Sequence, residues 1–181
     1  MALTATMHAF DIELADVDRG VYETLAFRVA RHPSESEEYL LVRVLAYCLE
    51  YADGIGFSNG IAEPEEPTIG VRDLTGALSV WVDIGAPDAA RVHKASKAAA
   101  RVAVYTHKDP EKLMRQWSGA RIHRAADLEL YSLDRALLAQ LVARLERRMA
   151  FALSVTGGRL YVTINNDVLE GALARHVLTA R

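Results

Sequence analysis

The run RDLTGALSVWVDIG, residues 72–85, decides how the middle of this chain folds. Asp73-Leu74-Thr75-Gly76 has aspartate at the first and glycine at the fourth position of a type I turn. The residues after it are apolar on both faces around Val80, Trp81 and Val82, the pattern of a strand inside a sheet. That strand ends on a carboxylate, Asp83, and Gly85-Ala86-Pro87 interrupts it at once. The stretch therefore predicts a hairpin whose second strand is buried. With a tight turn at Leu74-Thr75, Asp83 lies opposite Glu66 and roughly 23 Å along the strand from the turn.

Working outward, the segment before this hairpin reads as a helix. RHPSESEE is a helix-start signal in which Ser34 caps, Glu37 closes a capping box and the acidic residues suit the positive helix end. From Glu37 to Tyr51 apolar residues recur at helical spacing. Residues 54–67 read as a loop, with GIG, NG and EPEEP. After the hairpin, Pro87–Ala100 predicts a helix, Val102–Tyr105 a buried strand, Asp109–Gly119 a helix, Leu128–Tyr131 a strand and Ser132–Met149 a helix. Both ends read as β-hairpins. Ala5–Leu14 and Val21–Ala30 alternate around DVDRG, and Phe151–Ile164 alternates around TGG. Val168–Arg181 fits helix or strand. A hairpin followed by a helical crossover to a buried strand implies a mixed sheet flanked by helices.

Composition sets outer bounds. The chain has 181 residues, 51% hydrophobic and 25% charged, which suits one folded domain spanning 1–181. A net charge of -3 supplies no global positive field, so a nucleic-acid partner has to be met by a local patch. Cys48 is the only cysteine, which excludes an internal disulfide and a cysteine-based zinc site. The alternating N-terminus is no signal peptide, and no apolar run approaches the roughly 18 residues of a membrane helix. A cytoplasmic protein with no membrane partner is the expectation.

Several residues are candidates for chemistry. Asp73 is either a turn residue or a ligand. Asp83 closes a buried strand before a loop and helix, where α/β sheets place ligand groups, or it pairs with the next helix. In the tight-turn register Asp73 and Asp83 are too far apart for one metal ion, whose oxygen ligands stand about 2–2.6 Å away. Glu65 or Glu66 is then the better second carboxylate, and a bulge after Asp73 restores the first pairing. Lys94, Lys97 and Arg101 are spaced to share one helix face, as an exposed basic stripe or with Lys94 leaning toward the carboxylates. Arg43, amid LLVRVL, shares a side with Tyr39 and Glu50, which suits an internal pair. The histidines show no HxxxH or HExxH spacing. Arg115, Trp117, Arg121, His123 and Arg124 form one basic segment with an aromatic.

Three stretches, ARHPSE (30–35), RDLTGALSVWVDIGAP (72–87) and HKASKAAARVAVYTH (93–107), together resemble the YaeQ family of small bacterial proteins. The resemblance spans about residues 1–107. That family is similar in fold to the PD-(D/E)XK nuclease superfamily, with a core of helix, three antiparallel strands, helix and strand. It implies an α/β (α+β) mixed sheet with a restriction-endonuclease-like core at about 34–106 and a C-terminal α/β extension at about 108–181. It also implies that Glu38 (or Glu35) is the helix carboxylate, Asp73 the first strand aspartate and Asp83 the second acidic residue, together holding Mg²⁺. Arg72 stands where the motif has proline and Gly85 where it has lysine, so Lys94 becomes the substitute lysine. The function so implied is a Mg²⁺-dependent phosphodiesterase acting on nucleic acid. The alternative is a non-catalytic protein of the same fold that binds nucleic acid or a protein partner, favoured by Gly85 and the net charge.

Overall fold

Alternation at the N-terminus becomes a long antiparallel pair, β1 (Thr6–Asp16) with β2 (Val21–Arg31), in register from Thr6↔Arg31 to Asp16↔Val21. A computed structural model describes residues 4–58 and 64–178. Along the chain there follow α1 (Glu37–Leu49), β3 (Ile55–Phe57), β4 (Ile69–Arg72), β5 (Leu78–Ile84) and α2 (Ala89–Ala98). Then come β6 (Arg101–Thr106), α3 (Pro110–Ser118), β7 (Glu129–Leu133), α4 (Arg135–Val142), β8 (Arg148–Thr156), β9 (Arg159–Ile164) and β10 (Asp167–Val177). This is a mixed α+β architecture. The chain divides into two compact units, residues 1–41 with 133–174 and residues 42–132 with 175–181.

In the first unit the sheet runs β2-β1-β8-β9-β10. β1 pairs parallel with β8, Ala9↔Arg148 through Asp16↔Val155, whereas β1–β2, β8–β9 and β9–β10 are antiparallel. The β8–β9 turn needs left-handed backbone at both Gly157 (φ 59) and Gly158 (φ 70), as a two-residue hairpin turn does. Asp18, in the β1–β2 turn, accepts both of those glycine N–H groups at 2.7 and 3.0 Å and so ties the two turns together. One face buries Phe10, Ile12 and Leu14 of β1 and Phe151, Leu153 and Val155 of β8, and α4 buries Leu137, Leu138 and Leu141.

Two expectations change here. The helix expected over Ser132–Met149 is only Arg135–Val142, started by Asp134 accepting from the Leu137 N–H. The parallel ladder to β1 claims Arg148 onward, so tertiary pairing overrides local helical spacing. At α1 the cap is Ser36, whose hydroxyl accepts from the Tyr39 N–H at 3.0 Å, while Ser34 bonds the His32 ring. The ambiguous tail resolves as β10. The NG pair (59–60) and the last three residues lie outside the described residues.

The second unit has strand order β7-β6-β5-β4-β3. β3, β4 and β5 are successively antiparallel, and β6 and β7 add parallel to β5. From α1 to β6 the elements thus run helix, three antiparallel strands, helix, strand. β3 lies in the segment read as loop; three residues with Gly56 in the middle and Gly54 just before are too short for a periodicity signal. On one sheet face Trp81, Val102, Val104 and Leu130 form a core with Val92 and Ala95 of α2 and Leu113 and Trp117 of α3. The Trp117 indole N–H is satisfied by the Pro87 carbonyl at 3.1 Å.

Candidate functional site

The hairpin register determines where the carboxylates go. Asp73 N–H bonds the Ala77 carbonyl and Gly76 N–H bonds the Asp73 carbonyl, both at 2.9 Å, with Gly76 at φ 84. This is a three-residue loop built on a type I turn. A bulge between Val71 and Arg72 then shifts the ladder, giving Ile69↔Val82 and Gly70↔Trp81. Asp83 therefore sits beside Thr68, two residues from the position expected opposite Glu66.

Asp73 stays at the exposed turn. One of its oxygens accepts from the Thr75 hydroxyl at 2.6 Å, the Thr75 N–H at 2.8 Å and the Ala77 N–H at 3.0 Å. The Thr75 hydroxyl foremost, against a small burial penalty and helped by these N–H groups, holds its carboxyl below the usual range. Asp83 lies six positions along the chain from Ala77, about 20 Å, so Asp73 and Asp83 are not brought together.

Asp83 is 2% exposed, on the β5 face that carries Trp81. Gly85 (φ 87) turns the chain out of the strand, Asp88 caps α2, and Arg91 then points back at the strand end. Arg91 grips Asp83 with a two-pronged fork, Nε to Oδ2 at 2.7 Å and Nη2 to Oδ1 at 2.9 Å. The Thr68 hydroxyl and N–H also donate to Oδ1, at 3.3 and 3.4 Å. Arg91 further donates to the carbonyls of Glu66 and Pro64 and lies 5.4 Å from the Trp81 ring centroid. Glu66 thus contributes its carbonyl here. Both Asp83 oxygens accept hydrogen bonds, and its charge is paired with the Arg91 guanidinium.

The other candidates go elsewhere. Lys94 forms an ion pair with exposed Glu65. Glu38 is exposed in the first turn of α1, and the Glu35 carbonyl accepts from Arg31 Nε at 3.1 Å; both belong to the unit containing residues 1–41. Among the described residues no group of three or more histidine, cysteine, aspartate or glutamate side chains is placed to hold a metal ion. The donor set implied for Mg²⁺ does not fit: Asp83 is bound by arginine and Asp73 lies a strand's length away.

A second charged cluster escaped the sequence reading. Arg101 is the first residue of β6, so it leaves the helix face expected to hold it with Lys94 and Lys97. It donates to both oxygens of Glu50, at 2.6 and 3.0 Å, and to both oxygens of Glu129, at 2.5 and 3.0 Å. Tyr105 and Tyr131, stacked with centroids 4.9 Å apart, each donate a hydroxyl at 2.6 Å, to Glu50 and Glu129 respectively. Burial works against the Arg101 charge, but its two carboxylates outweigh that and raise its pKa further. For Glu129 burial also opposes ionisation, and the bonds from Arg101 and Tyr131 overcome it, leaving the carboxyl below its usual range. The Tyr131 hydroxyl is pushed up to about 12, by burial first and then by Glu129. Residues 50, 101 and 129 are distant in sequence, and only their strand and helix neighbours bring them together. Arg43 stacks over the Phe57 ring at 5.9 Å. Of the basic segment at 115–124, Trp117 is core, and Arg124 donates to the Ser96, Ala99 and Ala100 carbonyls at the end of α2.

With this geometry established, comparison with known proteins places the whole chain. A family model described as YaeQ protein matches residues 1–173. Proteins named Uncharacterized protein YaeQ from Escherichia coli (strain K12) and Salmonella typhi are 31% and 30% identical over 172 residues, covering 94% of both chains. The crystal structure of a YaeQ protein from Xanthomonas axonopodis pv. citri superposes with TM-score 0.84 at 30% identity, over 98% of this chain and 100% of that one. A YaeQ protein from Pseudomonas syringae gives 0.85 at 26% identity, over 98% and 97%.

Proposed function

The chain belongs to the YaeQ family, and from that premise we propose that this protein is a non-catalytic, nuclease-like scaffold whose work is to bind a protein partner. The observation that carries this reading is the Arg91 fork on Asp83. At the strand position where a nuclease of this type needs an open carboxylate, this chain has a buried ion pair. Gly85, in left-handed backbone, is no place for the missing lysine. Three of the basic side chains around α2 are paired within the protein, Arg91 by Asp83, Lys94 by Glu65 and Arg101 by Glu50 and Glu129, while Lys97 stays exposed. With a net charge of -3, that favours a protein over a nucleic acid.

One observation favours a second reading, Mg²⁺-dependent cleavage of nucleic acid. The order helix, three antiparallel strands, helix, strand over α1 to β6 is the order that resemblance to PD-(D/E)XK nucleases implies. Incubation with single- and double-stranded DNA and RNA in Mg²⁺ or Mn²⁺ separates the two. No cleavage is expected from the wild type. Cleavage that Asp83→Ala abolishes would overturn the non-catalytic reading.

A further inference from the structure

The first unit exposes a sheet face on which charges of both signs, a protruding side chain and a hollow follow one another along one strand. Residues of β1 alternate, so Met7, Ala9, Asp11, Glu13 and Ala15 point away from the core. The register extends each of them into a row across the neighbouring strands. Arg28 and Arg148 flank Ala9, Ala26 and Ala150 flank Asp11, Thr24 and Ala152 flank Glu13, and Tyr22 and Ser154 flank Ala15. Arg28, Arg148, Asp11 and Glu13 are exposed, and none has a side-chain hydrogen bond or ion pair among the described residues. At one end of the face Met7 stands out, 53% exposed. At the other, Tyr22, Ala15 and Ser154 help line an open hollow of about 700 Å³. Met7 and Ala15 stand about 26 Å apart along the strand, with the basic row and then the acidic rows between them.

We propose that this face is the contact surface for a second copy of the chain, packed face to face about a two-fold axis that crosses the strands at the Asp11 row. Such a contact is isologous, so each row meets the row equally far on the other side of the axis. The Arg28 and Arg148 row of one copy then lies over the Glu13 row of the other, its two arginines flanking that carboxylate. Symmetry repeats this contact on the far side of the axis. Met7 of each copy lies over Ala15 of the other, in the hollow beside Tyr22, where a thioether packs well against an aromatic ring. The two Asp11 side chains meet at the axis, between the two arginine rows. Each copy thus brings two arginines and two carboxylates, and the charges balance. A ligand of one sign would be repelled by half of this face, whereas a second copy satisfies both halves. Alanines keep the floor low enough for two sheets to pack about 10 Å apart. The footprint, about 26 Å by 14 Å, falls below the ~800 Å² per partner of a standard interface, so the dimer is weak and forms at high concentration. This inference goes beyond the protein-binding reading above, and its residues lie in a different unit from Asp83 and Arg91.

Sedimentation velocity on the full chain, between about 1 μM and 1 mM, covers the range of such association. The wild type passes reversibly from monomer to dimer, and added salt weakens the dimer. Glu13→Arg and Arg148→Glu each raise the dissociation constant at least about tenfold, because like charges then face each other across the contact. Mixed in equal amounts, these two variants regain association near the wild-type level, since each position 13 then faces a position 148 of opposite sign. A variant that merely misfolds is not rescued by mixing. Met7→Asp also weakens the dimer, and Lys112→Glu, on α3, leaves it unchanged. A wild type that stays monomeric throughout overturns the proposal. So does a dimer that the single variants leave intact, or a mixture that associates no better than either variant alone. Cleavage in the assay above would sink the non-catalytic reading and leave these outcomes to be read independently.

Discussion

Gly85 and Asp83 carry opposite lessons at the scale of single residues. Gly85 occupies the position of a lysine in the motif that the sequence resembles, yet its φ of 87 is one that side chains with a Cβ rarely adopt. Gly85→Lys is expected to lower stability by about 1–2 kcal/mol in urea unfolding and to confer no cleavage. Asp83 was legible as a buried strand end, and pairing with the next helix was one of its two readings. Arg91 was not legible as the partner, because nothing in the sequence shows which side of α2 meets β5. Arg91→Ala leaves Asp83 buried and uncompensated, and is expected to cost about 3–5 kcal/mol, the range for a broken buried pair. Asp83→Asn, which keeps an acceptor for the fork, is expected to cost less; equal stability of wild type and Arg91→Ala in urea would show that the pair is dispensable.

Among elements, the informative contacts are those that fix where one segment meets another. β10 passes close to the start of α4 at Gly171, where an added Cβ would stand 2.7 Å from the Asp134 Cβ and 2.9 Å from the Leu137 Cβ. Neither atom is the end of a flexible side chain, so Gly171→Ala overpacks the contact and should cost about 1–3 kcal/mol, read as a lower thermal midpoint. The turn at Asp73 shows the same dependence on neighbours. Its chemistry was readable from Asp-Leu-Thr-Gly, but the three-residue loop and the bulge at Val71 and Arg72, one residue each, moved Asp83 from Glu66 to Thr68. The shortened α4 has a related cause: partner strands, unseen in the local pattern, decide which alternating residues become β8.

For the whole molecule, acid sensitivity follows from carboxyls that the fold holds ionised. Glu129 lies below its unfolded value of 4.5, through Arg101 and Tyr131 against burial. Asp18 lies below 3.8, through the Gly158 and then the Gly157 N–H. A depressed folded pKa contributes stability above the unfolded value, and that contribution is lost as pH falls through the folded one. Asp16 runs the other way, since burial raises its pKa and protonation there favours the fold. The urea midpoint should therefore change little between neutrality and about pH 5 and fall below about pH 4.5; a midpoint that climbs on acidification would contradict this balance. By itself the sequence determined the terminal hairpins, the helix from Glu37, the turn at Asp73, the buried strand closing on Asp83 and the resemblance to YaeQ proteins. Each is written in short-range periodicity, turn chemistry or contiguous motifs. Only the tertiary structure decided that Arg91 neutralises Asp83, that Asp73 stands a strand's length away, and that Arg101 joins Glu50 to Glu129. Those outcomes depend on register and on contacts between distant segments, which no local pattern of residues encodes.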